Sequence, residues 1–479
     1  MIPRQVNTMR WIEPKRVFVV VGFVFGTVMA LIVPPFQSPD EPHHFFRAYQ
    51  ISEGRWIPNW QDNIGQGDLP ASLAQICNPF SAVRYNKEVT SLSEIRDVLR
   101  IPLQSRIREN YVLATAHYAP IAYLPQAIGI GVGRVLNWPP LVLMYVGRLT
   151  NLWTWMVLGY CALRSAPAFG PPFLLLMLMP MSLFMAASLS PDAVINGLAV
   201  LMAALAFSAA EKNRDKDDSF IGWRWVVEFI LCSAALSLAK VAYLPLAGLI
   251  FLVPAKRLGG PWKFAIILAV LAIATTTPVM LWSRQTPGLD IVNYLGNPHV
   301  SARRQFQFIT GHPAALLLIP IFSAQRDWLL VILSFVGRLG WLNIQLSPLF
   351  VIAYLLLLLV ACRPGVEGPA FPKPRRVAAV TVVAAAVSAE ALLLMIDLIW
   401  TSVGGLRVDG LQGRYFIPIA PALLLCACAL WGSLPAKFRS HRSESRRNLS
   451  AALIALAGCA YALIVLYFHY FVSVEVGLV

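Results

Sequence analysis

Apolar residues in this chain come in long runs rather than in the alternating patterns of a soluble core. Runs lie near residues 17–36, 141–163, 172–189, 192–210, 225–239, 241–254, 262–282, 348–361, 377–400, 415–432 and 450–473. A bilayer-spanning helix takes ~20 apolar residues, so the pattern predicts an all-α polytopic membrane protein with about eleven transmembrane helices. Two further apolar stretches, 119–136 and 313–336, are ambiguous, because counting either as a span reverses the side of every later loop. The first of them holds Pro120, Pro125, Gly129, Gly131 and Gly133, which suits a helix lying in the interface.

Polar positions decide between the threadings. With both ambiguous stretches at the outer surface, the cytoplasmic segments are 1–16, 164–171, 211–224, 255–261, 362–376 and 433–449. They carry Arg4, Arg10, Lys15 and Arg16; Arg164; Lys212, Arg214, Lys216 and Arg224; and Lys256 and Arg257. They also carry Arg363, Lys373, Arg375 and Arg376, then Lys437, Arg439, Arg442, Arg446 and Arg447. Every short, strongly basic loop then falls on the cytoplasmic side. This predicts a multi-pass protein of a plasma (inner) membrane, N-terminus in and C-terminus out, built as one integral domain over 1–479. Its large outer regions are a first loop, 37–140, with interfacial helices, and a second, 283–347. The first run is too long for a signal-peptide core of ~7–15 residues and ends in Pro34-Pro35-Phe36, so it reads as an uncleaved anchor.

Composition agrees. Hydrophobic residues make up 57% and charged ones 13%, against ~25% charged in a soluble domain. The net charge of +15 is explained by the cytoplasmic loops, and no zinc-finger, RNA-binding or helix-turn-helix signature points to nucleic acid. Seven cysteines, only Cys77 of them in a long loop, argue against a disulfide framework. No nucleotide-binding G-x-x-x-x-G-K-[ST] or dinucleotide G-x-G-x-x-G motif is present, which disfavours a nucleotide-driven pump.

The densest candidate chemistry follows the first helix, in Ser38-Pro39-Asp40-Glu41-Pro42-His43-His44. Adjacent carboxylates are costly to desolvate without compensation. They read either as a general base with an orienting neighbour or as an acidic cap that starts the next helix. Ser190-Pro191-Asp192 sits in a short outer turn. Lys240 lies between two short apolar runs, where a cation needs a counter-charge such as a lipid phosphate, or snorkels to the headgroups. Arg414, followed by Tyr415, comes after Gly410 and Gly413 and offers a forked donor to phosphate oxygens, with Asp409 or a headgroup as the alternative partner. In the second outer region His299, Arg303, Arg304, His312 and Arg326 either join Lys240 and Arg414 in a basic pocket or form a solvated surface. Glu390 and Asp397 share one face of a span and are functional candidates or structural pairs. His469 reads as a packing residue.

Taken in order, Ser38-Pro39-Asp40-Glu41-Pro42-His43, Ser190-Pro191-Asp192-Ala193, Lys240-Val241-Ala242-Tyr243-Leu244-Pro245, Gly340-Trp341-Leu342 and Gly410-Leu411-Gln412-Gly413-Arg414-Tyr415-Phe416 resemble the bacterial domain-of-unknown-function family 2142. The resemblance runs from about residue 20 to 435. That family is similar to the glycosyltransferase C superfamily of membrane enzymes, which use polyprenyl-phosphate-linked sugars on the outer face. The resemblance implies Asp40 and Glu41 as the catalytic acidic pair. It implies lipid-phosphate contacts at Lys240 and Arg414 and gives His43 a family counterpart, whereas His44, Arg303, Arg304 and Tyr415 join the substrate-binding candidates on the residues themselves. It further implies a glycan or lipid-linked acceptor of the cell envelope and inverting transfer. A divalent metal on the paired acids and histidines stays an open option. The rival reading is a transporter or flippase for a lipid-linked glycan, and a third is a non-catalytic assembly scaffold.

Overall fold

The computed structural model of the chain describes residues 12–85, 89–211, 220–292, 297–365, 371, 373–435 and 443–472. Arg4, Arg10, Lys212, Arg214, Lys216, Lys437, Arg439 and Arg442 of the basic loops lie outside the described residues. The chain opens with α1 (Pro14–Ile32) and α2 (Glu41–Ser52). A small antiparallel sheet follows, β1 (Asn59–Gln61), β2 (Ile64–Pro70) and β3 (Arg108–Val112), in that spatial order, with α3 (Ala71–Gln75), α4 (Asn78–Tyr85) and α5 (Leu92–Leu99) inserted between β2 and β3. Then come α6 (Leu124–Val135), α7 (Pro140–Ser165), α8 (Gly170–Met177), α9 (Pro180–Ala186), α10 (Asp192–Ala210) and α11 (Trp223–Ala239). After a 3-10 helix (Val241–Leu252) the second half comprises α12 (Pro261–Ser283), α13 (Ala302–Gly311), α14 (Ala315–Val336), a hairpin of β4 (Arg338–Leu339) and β5 (Ile344–Gln345), α15 (Pro348–Ala361), α16 (Pro374–Trp400), α17 (Ala420–Ser433) and α18 (Glu444–Phe471). Proline stands in the first turn of α1, α2, α6, α7, α12, α15 and α16, where its missing N–H has no helical partner to lose.

Seven described helices are long and apolar enough to cross a membrane, eight if the bent pair α8–α9 counts as one. The Val241–Leu252 helix, α15 and α17 are apolar but shorter. This is a multi-pass membrane protein, while the count of eleven spans is not reproduced by helix length alone. The run 172–189 is broken rather than continuous: α8 and α9 meet at 77°, because Pro180 cannot continue the ladder. Side chains take up the freed carbonyls, as an apolar medium demands. Ser182 Oγ donates to Leu176 O at 2.8 Å, Tyr354 Oη to Leu175 O at 2.7 Å and Cys459 Sγ to Leu178 O at 3.3 Å. The 12-residue run at 241–252 winds as a 3-10 helix; its rise of ~2.0 Å per residue reaches roughly a third farther than an α-helix of that length.

Small residues let the central helices approach. A Cβ at Gly26 of α1 would lie 2.7 Å from Leu152 of α7. Phe18 and Trp155 pack there with ring centroids 4.9 Å apart. α10 is the most enclosed span, 83% buried, whereas α12 and α14 are 11% buried and turn apolar faces outward, as helices against lipid do. α14, read from sequence as lying at the outer surface, is long enough to span. Its second half, however, is bonded along the loop 401–413. Arg326 donates to Val408 O at 2.6 Å and to Asp409 at 3.1 Å, and Ser334 Oγ accepts from Gly413 N–H at 2.7 Å. Segment 119–136 forms a 3-10 turn (Pro120–Tyr123) and the 12-residue α6, too short to cross.

Candidate functional site

Adjacent acids at a helix start point in different directions, since each residue turns the helix by ~100°. Glu41, the first residue of α2, turns inward and is fully buried. It meets Arg148 of α7 in a two-point pair, Nε to Oε1 at 2.8 Å and Nη2 to Oε2 at 2.6 Å. Leu189 N–H adds a 3.1 Å bond to Oε1. The other Arg148 donors reach Ala30 O, Val33 O and Pro34 O at 2.7–3.0 Å. All five guanidinium N–H groups are therefore used. They tie the end of α1, the start of α2, α7 and the 188–190 turn into one knot. The sequence reading of Glu41 as half of a catalytic pair gives way to a positioning role, because both its oxygens are committed and it does not face open space.

Asp40 stays outside that knot. Its backbone is left-handed, φ 58°, a region that Asp and Asn tolerate better than most residues. Its carbonyl accepts from His44 N–H at 3.0 Å, but its carboxylate makes no capping bond. The acidic-cap alternative therefore holds for the backbone only. The side chain instead lines a cavity of about 110 Å³ shared with His44, His117, Tyr118, Asp192, Lys240, Arg414 and Tyr415, well beyond the ~10–15 Å³ one water needs. Met395, Ile396, Ile399 and Trp400 of α16 form an apolar wall, and Trp60 and Gly65 of the sheet close another side.

Asp40 and Arg414, 374 positions apart in the chain, thus converge on one cavity, and local packing explains how. Arg414 lies on a 3-10 turn (Gly413–Phe416) pressed against α14. A Cβ at Gly413 would stand 2.0 Å from Val331 O and 2.3 Å from Phe335 N, so only glycine admits this approach. Arg414 donates to Asp192 Oδ2 at 3.2 Å and to Gln412 Oε1 at 2.7 Å. Its partner is Asp192, not Asp409, which pairs with Arg326 instead. The Lys240 ammonium, buried where α11 gives way to the 3-10 helix, makes no hydrogen bond or ion pair to a protein group among the described residues. It faces the Tyr415 ring at 4.4 Å and the Tyr243 ring at 5.7 Å. Burial pushes its pKa down to about 8, against the pull of the Asp192 carboxylate. Burial also pushes His117 down to about 4, helped by the Lys240 and Arg47 cations, and holds His44 well below its ordinary value, helped by Arg414. His44 Nδ1 shares a 2.8 Å hydrogen bond with Tyr123 Oη. A Gly413→Ala variant is expected to lose ~1–3 kcal/mol of stability through overpacking, read as a lower unfolding midpoint of the purified protein.

Other expected site residues lie elsewhere. His43 is mostly buried, its ring bonded to the Val112 backbone, and does not line the cavity. Arg303 and Arg304 are exposed on α13; Arg303 forms a two-point pair with Asp290 at 2.5 and 2.6 Å. The proposed basic pocket is therefore not assembled from the second outer region, because α13 presents these side chains to the surface. Asp397 accepts from Gln305 Nε2 at 2.7 Å and so joins α16 to α13. Among the described residues no three His, Cys, Asp or Glu side chains converge as a metal site. With Glu41 spent on Arg148, the 40–44 segment does not fit the open metal option. All seven cysteines are free.

Arg148, His117 and Tyr118 were not singled out by sequence reasoning. Arg148 had a signal, since a lone cation inside an apolar run requires a buried counter-charge. His117 and Tyr118, among small and apolar residues of the long first outer loop, had none.

No curated protein matches the chain. Among solved structures it is similar to ArnT from Cupriavidus metallidurans bound to undecaprenyl phosphate, at 14% identity over 95% of this chain and 75% of that one, with a TM-score of 0.40. The apo state of the same protein matches at 13% identity, the same coverage and a TM-score of 0.37. The family model described as "Predicted membrane protein (DUF2142)" matches residues 23–425, and with that extent and the helical membrane architecture above, this chain belongs to the DUF2142 family.

Proposed function

We propose that the chain is a membrane glycosyltransferase that moves a sugar from a polyprenyl-phosphate donor to a cell-envelope glycan or lipid-linked acceptor, at the outer face of a bacterial inner membrane. One observation carries the reading. A carboxylate without a capping bond, Asp40, and a buried ammonium with no ion pair among the described residues, Lys240, line the same cavity. A buried cation is costly unless an anion compensates it, and a phosphate is the anion that a lipid-linked sugar donor brings.

In this reading the donor phosphate sits against Lys240, with Arg414 beside it as a second cation held by Asp192. The acceptor hydroxyl gives its proton to Asp40 as its oxygen bonds to the anomeric carbon. The bond from that carbon to the phosphate oxygen breaks, and Lys240 and Arg414 stabilise the charge left on polyprenyl phosphate. Direct attack inverts the anomeric centre. Asp40 then releases its proton to water. The wall of Met395, Ile396 and Ile399 keeps the ionic groups in a medium where they act strongly.

The orientation also has support. Arg257 donates to Ala209 O and its carbonyl accepts from Ile221 N–H. The basic turn at 255–258 therefore lies at the far end of α10 and α11 from Asp192 and Lys240, so basic residues and cavity are on opposite sides.

Purified protein in lipid nanodiscs, given a short-chain polyprenyl-phosphate sugar and a glycan acceptor, is expected to release polyprenyl phosphate and form an inverted glycoside. Lipid binding without any turnover would favour the flippase instead. Undecaprenyl phosphate affinity is expected to be full below about pH 8 and to fall as pH rises above it, as Lys240 loses its proton. Bound phosphate raises that pKa, so the fall is complete only at still higher pH. In Lys240→Arg the affinity is expected to stay level to pH 10, because guanidinium does not titrate there. A parallel alkaline fall in both proteins would remove Lys240 from the phosphate site.

A further inference from the structure

The sheet that closes one side of the cavity has a second face. Strand side chains alternate between faces, and the register pairs Asn59 with Gln66 and Asp68 with Asn110. These four residues, with Gln50 and Trp56, line a separate groove of about 470 Å³. The side-chain amides of Asn59, Gln66 and Asn110 make no hydrogen bond to other protein groups among the described residues. Trp56 is 55% exposed.

The groove is built from beneath. Arg47 is fully buried and donates to Gln50 Oε1 at 2.5 Å and to Trp56 O at 2.7 Å. It therefore fixes which end of the Gln50 amide is committed and leaves Nε2 as the free donor. The same arginine pins the backbone that carries the Trp56 ring. Gln50 itself is 3% exposed, so its donor is oriented before any ligand arrives.

The charged groups nearby are paired. Asp68 takes Arg55 at 2.8 Å and Arg108 at 2.9 Å, and Arg108 also takes Glu53 at 2.8 Å. An acidic ligand would find no uncommitted cation in the groove. Amides that both donate and accept, beside an open aromatic face, match instead a chain of hydroxyls with apolar C–H faces.

We propose that this groove docks a neutral oligosaccharide, the distal part of a glycan acceptor whose end enters the neighbouring cavity. The proposal rests on the transferase reading and names the acceptor class. The sheet borders both spaces, one on each face, so the proposed chain passes round a sheet edge to meet them in turn.

Saturation-transfer NMR tests it, on the full chain in nanodiscs prepared without sugar-based detergent. The probes are maltohexaose, mannohexaose and hexa-galacturonate. At least one neutral hexamer is expected to show transfer. Trp56→Ala is expected to weaken its binding about tenfold, and Asn59→Ala with Asn110→Ala to weaken it further. Trp56→Ala keeps the carbonyl that Arg47 uses, and an unchanged unfolding midpoint verifies folding. Binding of neither neutral hexamer, binding of the acidic hexamer alone, or binding untouched by Trp56→Ala each overturns the proposal. Should the groove fail while undecaprenyl phosphate still binds through Lys240, the transferase reading stands and the acceptor docks elsewhere. Should the groove bind sugar while no transfer occurs, the transferase reading fails by itself.

Discussion

Asp40→Asn is expected to leave a folded protein that binds polyprenyl phosphate normally but transfers sugar ~10²–10⁴-fold more slowly, the usual contribution of a positioned general base. The substitution is chosen for the backbone. Asp40 sits at φ 58°, and Asn accepts that conformation, whereas Ala would add strain of ~1–2 kcal/mol and blur the outcome. Asn cannot take the acceptor proton at neutral pH. The effect should fall on kcat, with the unfolding midpoint and donor-lipid affinity near those of the parent. Unchanged turnover would remove Asp40 as the base and leave its carboxylate a bystander in the cavity.

The neighbouring acid should behave in the opposite way. Glu41→Gln is expected to cost about 3–5 kcal/mol of stability, because it strands the Arg148 charge in a site closed to water. Both side chains are 0% exposed, so solvent cannot rescue the arginine. The readout is the fraction of monodisperse protein after extraction and its unfolding midpoint. A double variant, Glu41→Met with Arg148→Met, should regain much of the loss, since it removes the stranded charge together with the pair. If Glu41→Gln instead keeps a parental midpoint and loses only turnover, Glu41 belongs to the chemistry and the knot is dispensable. Together the two variants are expected to separate the adjacent acids, with the loss in rate at Asp40 and the loss in stability at Glu41.

That division marks how far the chain could be read by eye. The apolar runs forecast the helices because crossing lipid imposes a length and a composition, and both are local properties. The Lys240 and Gly413-Arg414-Tyr415 motifs stood out for a similar reason: charge and glycine are rare next to spans and each needs a cause. The break between α8 and α9 was written in Pro180, yet the run around it is so uniformly apolar that it read as continuous. Arg303 and Arg304 were indistinguishable from site residues in sequence. Arg303 is neutralised by Asp290 of the 288–290 turn, and the exposure of both arginines follows from the way α13 lies on that turn and on α16.

Sequence alone therefore determined that this is a multi-pass membrane protein and which short motifs gather its polar residues beside the apolar runs. Those are consequences of solvent, and the bilayer acts on each segment separately. Tertiary structure alone decided that Asp40 meets Lys240, Asp192 and Arg414 around one cavity, that Glu41 belongs to Arg148 107 positions away, and that His117 joins them. Ion pairing and cavity formation depend on contacts between distant segments, and a spacing along the chain carries no distance across the bundle.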